Sequence, residues 1–232
     1  MTSPSNISIC SRLFGFLEMT LLVNEIFHSI QGESLSAGRP CVFVRLTGCN
    51  LRCTYCDTAY AYDEGSAFSI GEIVARVKSF SCPLVEITGG EPLLQDETSE
   101  LICRLIASGY EMLIETNGSL DISPLHPECT RIMDIKCPSS GMSSKNRMEN
   151  LSQLTDRDQL KFVIGDASDY DFAKNILTAL PTDFPLDHVL FSPVFGILPP
   201  AALSDWILRD RLSVRFHPQL HKIIWPHEER GR

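Results

Sequence analysis

Three cysteines stand close together in the segment TGCNLRCTYCDT, at Cys49, Cys53 and Cys56. Their spacing is CxxxCxxC, and thiolates are soft ligands suited to zinc or to iron–sulfur clusters. A structural zinc ion takes four protein ligands, so a zinc site would need a further side chain, for which Cys41 and His28 are candidates. A cubane cluster held by three cysteines instead leaves one iron open, where a ligand can bind and react. The spacing alone leaves both kinds of metal site open.

The composition favours a protein of the reducing cytoplasm. The chain has nine cysteines, an odd number with three crowded into one segment, so a complete disulfide framework is not expected. Its net charge of -9 argues against a nucleic-acid groove or a basic membrane-facing surface. No apolar run is long enough to span a bilayer, and the N-terminus lacks the pattern of a secretory signal. We expect a cytoplasmic protein that acts on a small molecule, with no nucleic-acid or membrane partner.

Repeated β-α units must position the three cysteines. Runs rich in β-branched residues predict seven strands, at 42–46, 84–88, 112–115, 131–136, 160–164, 188–192 and 213–216. Stretches with helical spacing of apolar residues predict four helices, at 69–80, 98–108, 170–180 and 200–209. The length of 232 residues suits a single domain, with 21–227 as the catalytic domain, 1–20 as a loose extension and 228–232 as a tail.

Polar motifs follow nearly every predicted strand. TGCNLRCTYCDT follows the first, TGGEP the second, ETNG the third, KCPSSG the fourth, SPVFG the sixth and HPQLHK the last. In parallel α/β sheets and barrels the site is built from loops at the carboxyl ends of the strands, so these motifs should meet on one face. Six or seven units are fewer than a closed barrel needs. We therefore predict an α/β fold with an open, partial parallel β/α barrel.

The cysteine segment resembles the radical S-adenosylmethionine (SAM) superfamily, because an aromatic residue, Tyr55, precedes the last cysteine. The resemblance implies a 4Fe–4S cluster on the three cysteines, whose open iron binds the amino and carboxylate groups of SAM. An electron from the cluster then breaks SAM to give a 5'-deoxyadenosyl radical that abstracts hydrogen from a substrate. TGGEP is similar to the superfamily's SAM-binding element, in which the glycines allow close backbone approach and Glu91 could accept from the SAM ammonium.

Further stretches resemble the 7-carboxy-7-deazaguanine synthase family. They are NEIFHSIQGES at 24–34, GRPCVFVRLTGCN at 38–50 and HPQLHKIIWP at 217–226. The resemblance implies conversion of 6-carboxy-5,6,7,8-tetrahydropterin to 7-carboxy-7-deazaguanine with loss of ammonia, a lyase reaction that leads to 7-deazapurines such as queuosine. It also implies magnesium, an electron donor of unknown identity and a homodimer. Six further residues, HEERGR, follow Pro226, where family members end.

The family resemblance also implies individual site residues. Those expected to contact the substrate are Ile30, Gln31, Gly32, Arg45, Thr88 and Pro226. Those expected to contact SAM are Tyr55, Cys56, Asp57, Gly90, Asp134, Ile135, Lys136, Ser192, Pro193, Val194 and Phe195. Magnesium is expected at Thr58, since this ion keeps waters and can combine one protein oxygen with the substrate carboxylate.

Several of these polar residues have a second interpretation. Arg45 can hold the substrate carboxylate bidentately, but inside an apolar strand it could equally form a buried structural ion pair. In ETNG, Glu115 is the functional candidate, whereas Asn117 and Gly118 are typical of a turn. Asp57 could instead cap its loop.

The closing segment and the overall activity have alternatives of their own. His217, His221 and Lys222 could meet anionic substrate groups or be solvated. Two other functions fit the same cysteines: a radical SAM activase of a partner protein, and a non-enzymatic zinc-binding module.

Overall fold

The computed structural model describes residues 19–228, 230 and 231. Nine strands within this part of the chain form one sheet. The strands are β1 (Thr20–Ile30), β2 (Pro40–Leu46), β3 (Ser66–Ser69), β4 (Leu84–Gly89), β5 (Glu111–Thr116), β6 (Thr130–Asp134), β7 (Gln159–Ile164), β8 (Val189–Pro193) and β9 (Arg215–Phe216). Their order in the sheet is β3-β1-β2-β4-β5-β6-β7-β8-β9. β1 is antiparallel to β2 and β3, and all pairs from β2 to β9 are parallel. The mostly parallel sheet is not closed, which confirms the predicted fold class.

Four of the five helices in the described part of the chain connect successive strands, and the fifth follows the last strand. The described residues contain α1 (Ile70–Ser79), α2 (Thr98–Ala107), α3 (Ala167–Leu177), α4 (Pro200–Asp210) and α5 (Leu220–Ile224). The links from β5 to β6 and from β6 to β7 contain no α-helix, and the second consists of turns with short 3-10 segments. Among these described elements, no helix combines the length and apolar character needed to cross a bilayer.

Most predicted elements are present, and two strands were not predicted. All seven predicted strands and all four predicted helices occur, although the seventh strand is only Arg215–Phe216. β1 was missed because a bulge between Val23 and Glu25 breaks the alternation that identifies a strand. β3 is too short to carry a pattern. Thr20 already belongs to β1, so the sheet begins within the predicted extension, whereas residues 1–18 lie outside the described residues.

The central strands are buried on both faces. β7 and β8 are buried along their whole length, as expected for parallel strands that are covered on both faces. Phe191 of β8 packs edge-on against Phe162 of β7 and Tyr170 of α3, with ring centroids 5.6 and 5.9 Å apart. These contacts join the outer helix layer to the sheet, and the opposite faces of the strands surround the cavity described below.

The start of α1 generates the first prediction. Ser69 Oγ accepts from the Glu72 N–H at 3.3 Å, and Glu72 Oε2 accepts from the Ser69 N–H at 2.8 Å, which forms a capping box. Ser69→Ala should lower the free energy of unfolding by about 1 kcal/mol, because it leaves helix N–H groups unpaired. Urea denaturation measures this. Ser79→Ala in the last turn of α1 is the matched control, and an equal loss in both variants would show that the cap has no special role.

Candidate active site

A cavity of about 760 Å³ lies at the carboxyl ends of the parallel strands. Its lining includes, from successive parallel strands, Arg45, Thr88, Glu115, Asp134 and Val163. Each of the six polar motifs predicted to converge contributes at least one residue to the lining. The prediction that these motifs meet on one face is therefore confirmed.

The segment that carries the three cysteines is anchored to its surroundings. Thr54 Oγ1 donates to the Ser139 carbonyl oxygen at 2.8 Å, which joins the segment to the loop after β6. Arg52 donates to the Cys49 carbonyl oxygen at 2.7 Å, and its guanidinium lies 4.1 Å from the centroid of the Tyr62 ring. These contacts hold the loop in place through protein groups alone.

The three cysteines present their thiols to the cavity. Cys49, Cys53 and Cys56 all line it, are half-buried and form no disulfide. Burial raises the pKa of the Cys49 and Cys53 thiols, and the positive charge of Lys136 acts in the opposite direction. Cys49 Sγ accepts from the Leu51 N–H at 3.4 Å. Three soft sulfur donors on one loop beside an open cavity fit a cubane iron–sulfur cluster with one free iron position.

The two candidates for the fourth ligand of a tetrahedral zinc ion, Cys41 and His28, lie away from the three cysteines. Cys41 is fully buried, and its Sγ lies 3.6 Å from the Val42 carbonyl oxygen. The His28 ring packs 6.0 Å from the Phe80 ring, and neither candidate lines the cavity. Among the described residues, no three His, Cys, Asp or Glu side chains are grouped around a position for one ion. Neither residue expected as a fourth zinc ligand therefore lies where the three thiols meet the cavity.

The TGGEP loop packs directly beneath the cysteine segment. A Cβ atom on Gly90 would overlap the Gly48 carbonyl oxygen, so only glycine allows this approach. Glu91 is fully buried and accepts from Thr116 Oγ1 at 2.9 Å and from the Asn117 N–H at 2.7 Å. Burial raises the pKa of Glu91, although these bonds oppose the shift. Through these bonds the Glu91 carboxylate joins the TGGEP and ETNG loops. Because Glu91 does not line the cavity, its carboxylate is not available to SAM.

Most residues expected to contact SAM do line the cavity. They are Tyr55, Cys56, Asp57, Gly90, Asp134, Lys136, Val194 and Phe195. The side chains of Ile135, Ser192 and Pro193 lie outside the lining. Ile135 is fully buried in the core, and Ser192 Oγ donates to the His217 carbonyl oxygen at 2.7 Å. These three side chains support the wall from behind.

Asp134 has one side-chain oxygen that receives no hydrogen bond from the described residues. Its Oδ2 lies 2.9 Å from Lys136 Nζ, whereas the buried Oδ1 has no hydrogen-bond partner among the described residues. Although burial opposes it, the Asp134 charge raises the pKa of Lys136. A buried carboxylate oxygen without a donor is costly, so a hydroxyl or amine of a bound ligand would satisfy it.

All residues expected to contact the substrate line the cavity: Ile30, Gln31, Gly32, Arg45, Thr88 and Pro226. Gln31 Nε2 donates to the Glu86 carboxylate, and Gln31 Oε1 accepts from the Glu33 N–H at 2.8 Å. Thr88 Oγ1 donates to Glu115 Oε2 at 3.3 Å. Gln31 and Thr88 are therefore held in position by protein partners before any substrate binds.

Arg45 forms the buried ion pair and also lies in the cavity wall. Its Nε lies 2.8 Å from Glu25 Oε1, which is the buried ion pair, and the same side chain lines the cavity. The Tyr60 hydroxyl also donates to Glu25 Oε1, at 3.0 Å. The rings of Phe27 and Tyr60 lie 5.7 and 5.8 Å from the guanidinium.

The sequence motifs do not point to Lys161, which is the centre of a buried group of charges. Lys161 Nζ forms an ion pair with Glu115, lies 2.6 Å from Glu33 Oε2 and lies 3.5 Å from Asp134 Oδ2. Although burial opposes it, Lys161 lowers the pKa of Glu33. The available signal is a lysine inside the otherwise apolar strand QLKFVI of β7. A charge there needs buried partners, because an unpaired one is very costly.

Glu86 of β4 is the second residue that the motifs miss. It is only 3% exposed and lines the cavity. Burial raises the pKa of Glu86, and the neighbouring carboxylates Glu115 and Glu33 raise it further. The signal is again a charged residue inside an apolar run, LVEIT.

The closing segment contacts the cysteine segment. Lys222 Nζ lies 2.5 Å from Asp57 Oδ2 and 5.7 Å from the centroid of the Phe195 ring. His221 lines the cavity, whereas His217 is buried outside the lining. Of the open alternatives for this segment, Lys222 and His221 are therefore the residues placed to meet a ligand.

The comparisons with known proteins give one family. The model of the radical SAM superfamily matches residues 43–133. A 7-carboxy-7-deazaguanine synthase of Koribacter versatilis is 43% identical over 223 residues, covering 90% of this chain and 99% of that protein. The synthase of Chlorobaculum tepidum is 45% identical over 217 residues, covering 92% of this chain and 98% of that protein.

Solved structures share the fold. The crystal structure of QueE from Escherichia coli has a TM-score of 0.72 at 21% identity, covering 86% of this chain and 95% of that one. SuiB of Streptococcus suis bound to SAM has a TM-score of 0.52 at 15% identity, covering 74% of this chain and 45% of that one.

The raised pKa of Glu86 gives a pH prediction. As pH rises above about 4.5, the unfolded chain releases this proton while the folded protein retains it, so stability present below that pH is progressively lost. Glu86→Gln removes this loss, so the unfolding free energy of the variant should gain on the wild type by up to about 1.4 kcal/mol per pH unit. Urea denaturation at pH 5, 6 and 7 measures the difference, with the exposed Glu128→Gln as control. A constant difference across this range would contradict the prediction.

Proposed function

Because this chain belongs to the 7-carboxy-7-deazaguanine synthase family of radical SAM enzymes, we propose that its cavity holds SAM beside a carboxypterin. The activity is the conversion of 6-carboxy-5,6,7,8-tetrahydropterin to 7-carboxy-7-deazaguanine with release of ammonia. The activase and zinc-module interpretations are set aside. The observation that supports the residue roles is the lining of one cavity by the three cysteines, Asp134 and Arg45.

Cys49, Cys53 and Cys56 would hold the 4Fe–4S cluster through their thiolates. When bound, the cluster and SAM supply a 5'-deoxyadenosyl radical by one-electron cleavage of SAM. Tyr55 and Gly90 contribute the wall nearest the cysteines, and the partnerless Asp134 Oδ1 accepts from a donor group of SAM.

Arg45 would bind the substrate carboxylate. Glu25 engages its Nε, and Arg45 lines the cavity, where bidentate hydrogen bonds from a guanidinium to a carboxylate are strong. Gln31 and Thr88 would contact the pterin edge, which is rich in donors and acceptors. Lys161 has three donors and three carboxylate neighbours, so it orients Glu115 and Asp134 towards the bound molecules.

Thr58 would bind magnesium together with the substrate carboxylate. It lines the cavity two residues after the last cysteine, and its Oγ1 lies 3.8 Å from Cys56 Sγ. Magnesium prefers oxygen ligands and keeps several waters, so one hydroxyl and one substrate oxygen can suffice. Asp57 is paired with Lys222 and would contact SAM.

The remaining partners follow from the family resemblance. We propose that the enzyme works in the cytoplasm, where its thiols stay reduced. It would take its electron from a separate donor, act as a homodimer and make a precursor of queuosine.

A product assay tests the proposal directly. Protein reconstituted anaerobically with iron and sulfide, and supplied with SAM, magnesium and a reductant, should release ammonia and 7-carboxy-7-deazaguanine from the carboxypterin. Cys53→Ala should abolish cluster absorbance and product, because it removes one of three thiolate ligands. Chromatography and ammonia determination give the readout.

Cys103→Ala on α2 is the matched control, and it should retain cluster and product. The ligand assignment is wrong if the two variants behave alike. Stoichiometric zinc without iron or sulfide after anaerobic isolation would restore the zinc interpretation.

The magnesium site is tested at Thr58. Thr58→Ala should raise the magnesium concentration needed for half-maximal rate about tenfold or more, because it removes the only proposed protein oxygen. Thr58→Ser keeps the hydroxyl, so the magnesium concentration that it needs for half-maximal rate should stay close to that of the wild type. If both variants titrate like the wild type, magnesium binds elsewhere.

A further inference from the structure

Arg230 and Gly231, near the end of the chain, contact residues in and beside the wall of the cavity. Residues 227–232 extend beyond the last predicted substrate contact. Within this tail, Arg230 Nη2 lies 2.8 Å from Glu64 Oε2, and its guanidinium lies 4.3 Å from the centroid of the Tyr60 ring. Tyr60 itself lines the cavity, so the tail contacts a wall residue from another part of the chain.

A second tail contact reaches the partner of Arg45. The Gly231 N–H donates to Glu25 Oε2 at 3.1 Å. The other oxygen, Glu25 Oε1, accepts from Arg45 Nε at 2.8 Å and from the Tyr60 hydroxyl at 3.0 Å. One carboxylate therefore receives the tail on one oxygen and the proposed substrate-binding arginine on the other.

The surface that receives the tail is itself fixed. The Glu64 carbonyl oxygen accepts from Asn24 Nδ2 and from Thr47 Oγ1, both at 2.7 Å. Asn24 belongs to β1, next to Glu25, and Thr47 directly follows β2. Arg230 thus pairs with a side chain whose backbone is tied to the two strands that carry the Glu25 and Arg45 pair.

We propose that Arg230 and Gly231 form a strap that positions Arg45 for the substrate carboxylate, an inference that rests on the proposed function. Arg230 covers Tyr60 and pairs with Glu64, and Gly231 holds Glu25 in the orientation that engages Arg45 Nε. The remaining guanidinium N–H groups then face the cavity in a fixed direction. A guanidinium fixed before binding loses less conformational freedom when the carboxylate arrives, so affinity rises.

This role has a specific kinetic signature. Arg230 and Gly231 touch neither substrate nor reacting atoms in the proposal, so they are positioning residues. Holding the carboxylate strengthens ground-state and transition-state binding equally, so loss of the strap should raise KM and leave kcat unchanged. If Arg230 merely stabilised the fold, its loss would weaken the binding of ligands with and without a carboxylate to the same extent.

The test compares two unreactive ligands on the reconstituted enzyme with SAM and magnesium. One is 6-carboxypterin, and the other is pterin, which lacks the carboxylate. Arg230→Ala should raise the Kd of 6-carboxypterin about three- to tenfold, the combined effect of an exposed ion pair and a cation–π contact. The Kd of pterin should stay within about twofold, and Arg230→Lys should recover part of the loss because it keeps the charge.

Arg209→Ala is the matched control, since it removes an exposed arginine that pairs with Asp210 outside the cavity lining. In an Arg45→Ala background, Arg230→Ala should have no further effect on the Kd of 6-carboxypterin. Equal losses for both ligands, an unchanged Kd for 6-carboxypterin, or a full effect without Arg45 would each overturn the strap. Failure of the wild type to form product would instead refute the proposed function.

Discussion

A single buried ammonium group holds the charges of the cavity together. Lys161 of β7 pairs with Glu115 at the end of β5, with Asp134 at the end of β6 and with Glu33 in the loop after β1. Removing one partner of a buried ion pair leaves an uncompensated charge, which costs about 3–5 kcal/mol. The strand ends therefore cannot move apart without losing this pairing. The positions of the predicted SAM and substrate contacts depend on a lysine that itself belongs to neither set.

A second buried acidic side chain joins two loops beside the cysteine segment. The Glu91 carboxylate joins the loops after β4 and β5, and Gly90 beside it has no Cβ, which allows the close packing against Gly48. The loop that carries the cysteines is thus shaped by glycine packing and a buried acid. Protein contacts therefore help to position the loop that carries the cysteines. This preorganisation suits a site in which a reactive species must be directed at one substrate atom.

The sequence predicts the parallel part of the fold well because each strand there is a short apolar run followed by a polar motif. The same pattern does not predict Lys161 and Glu86 as site residues, because they lie inside the apolar runs and belong to no polar motif. The resemblance names Ile135 among SAM contacts, but successive residues of an extended chain point to opposite sides, so Asp134 and Lys136 face the cavity and Ile135 enters the core. The alternation of side chains along an extended chain therefore indicates which of the residues named by the resemblance turn their side chains towards the cavity.

The missed strand β1 explains how Arg45 can serve two purposes. β1 pairs antiparallel with β2 in a register that places Glu25 directly opposite Arg45. Without β1, β2 would lie at the sheet edge and its arginine would lack a counterion, although a buried guanidinium requires one. With the cross-strand carboxylate on Nε, the charge is balanced within the fold while other N–H groups remain for a ligand. In the proposed function, the antiparallel edge of the barrel is therefore the part that would recognise the substrate carboxylate, and the loops after the parallel strands beside it carry the cysteines and the proposed SAM contacts.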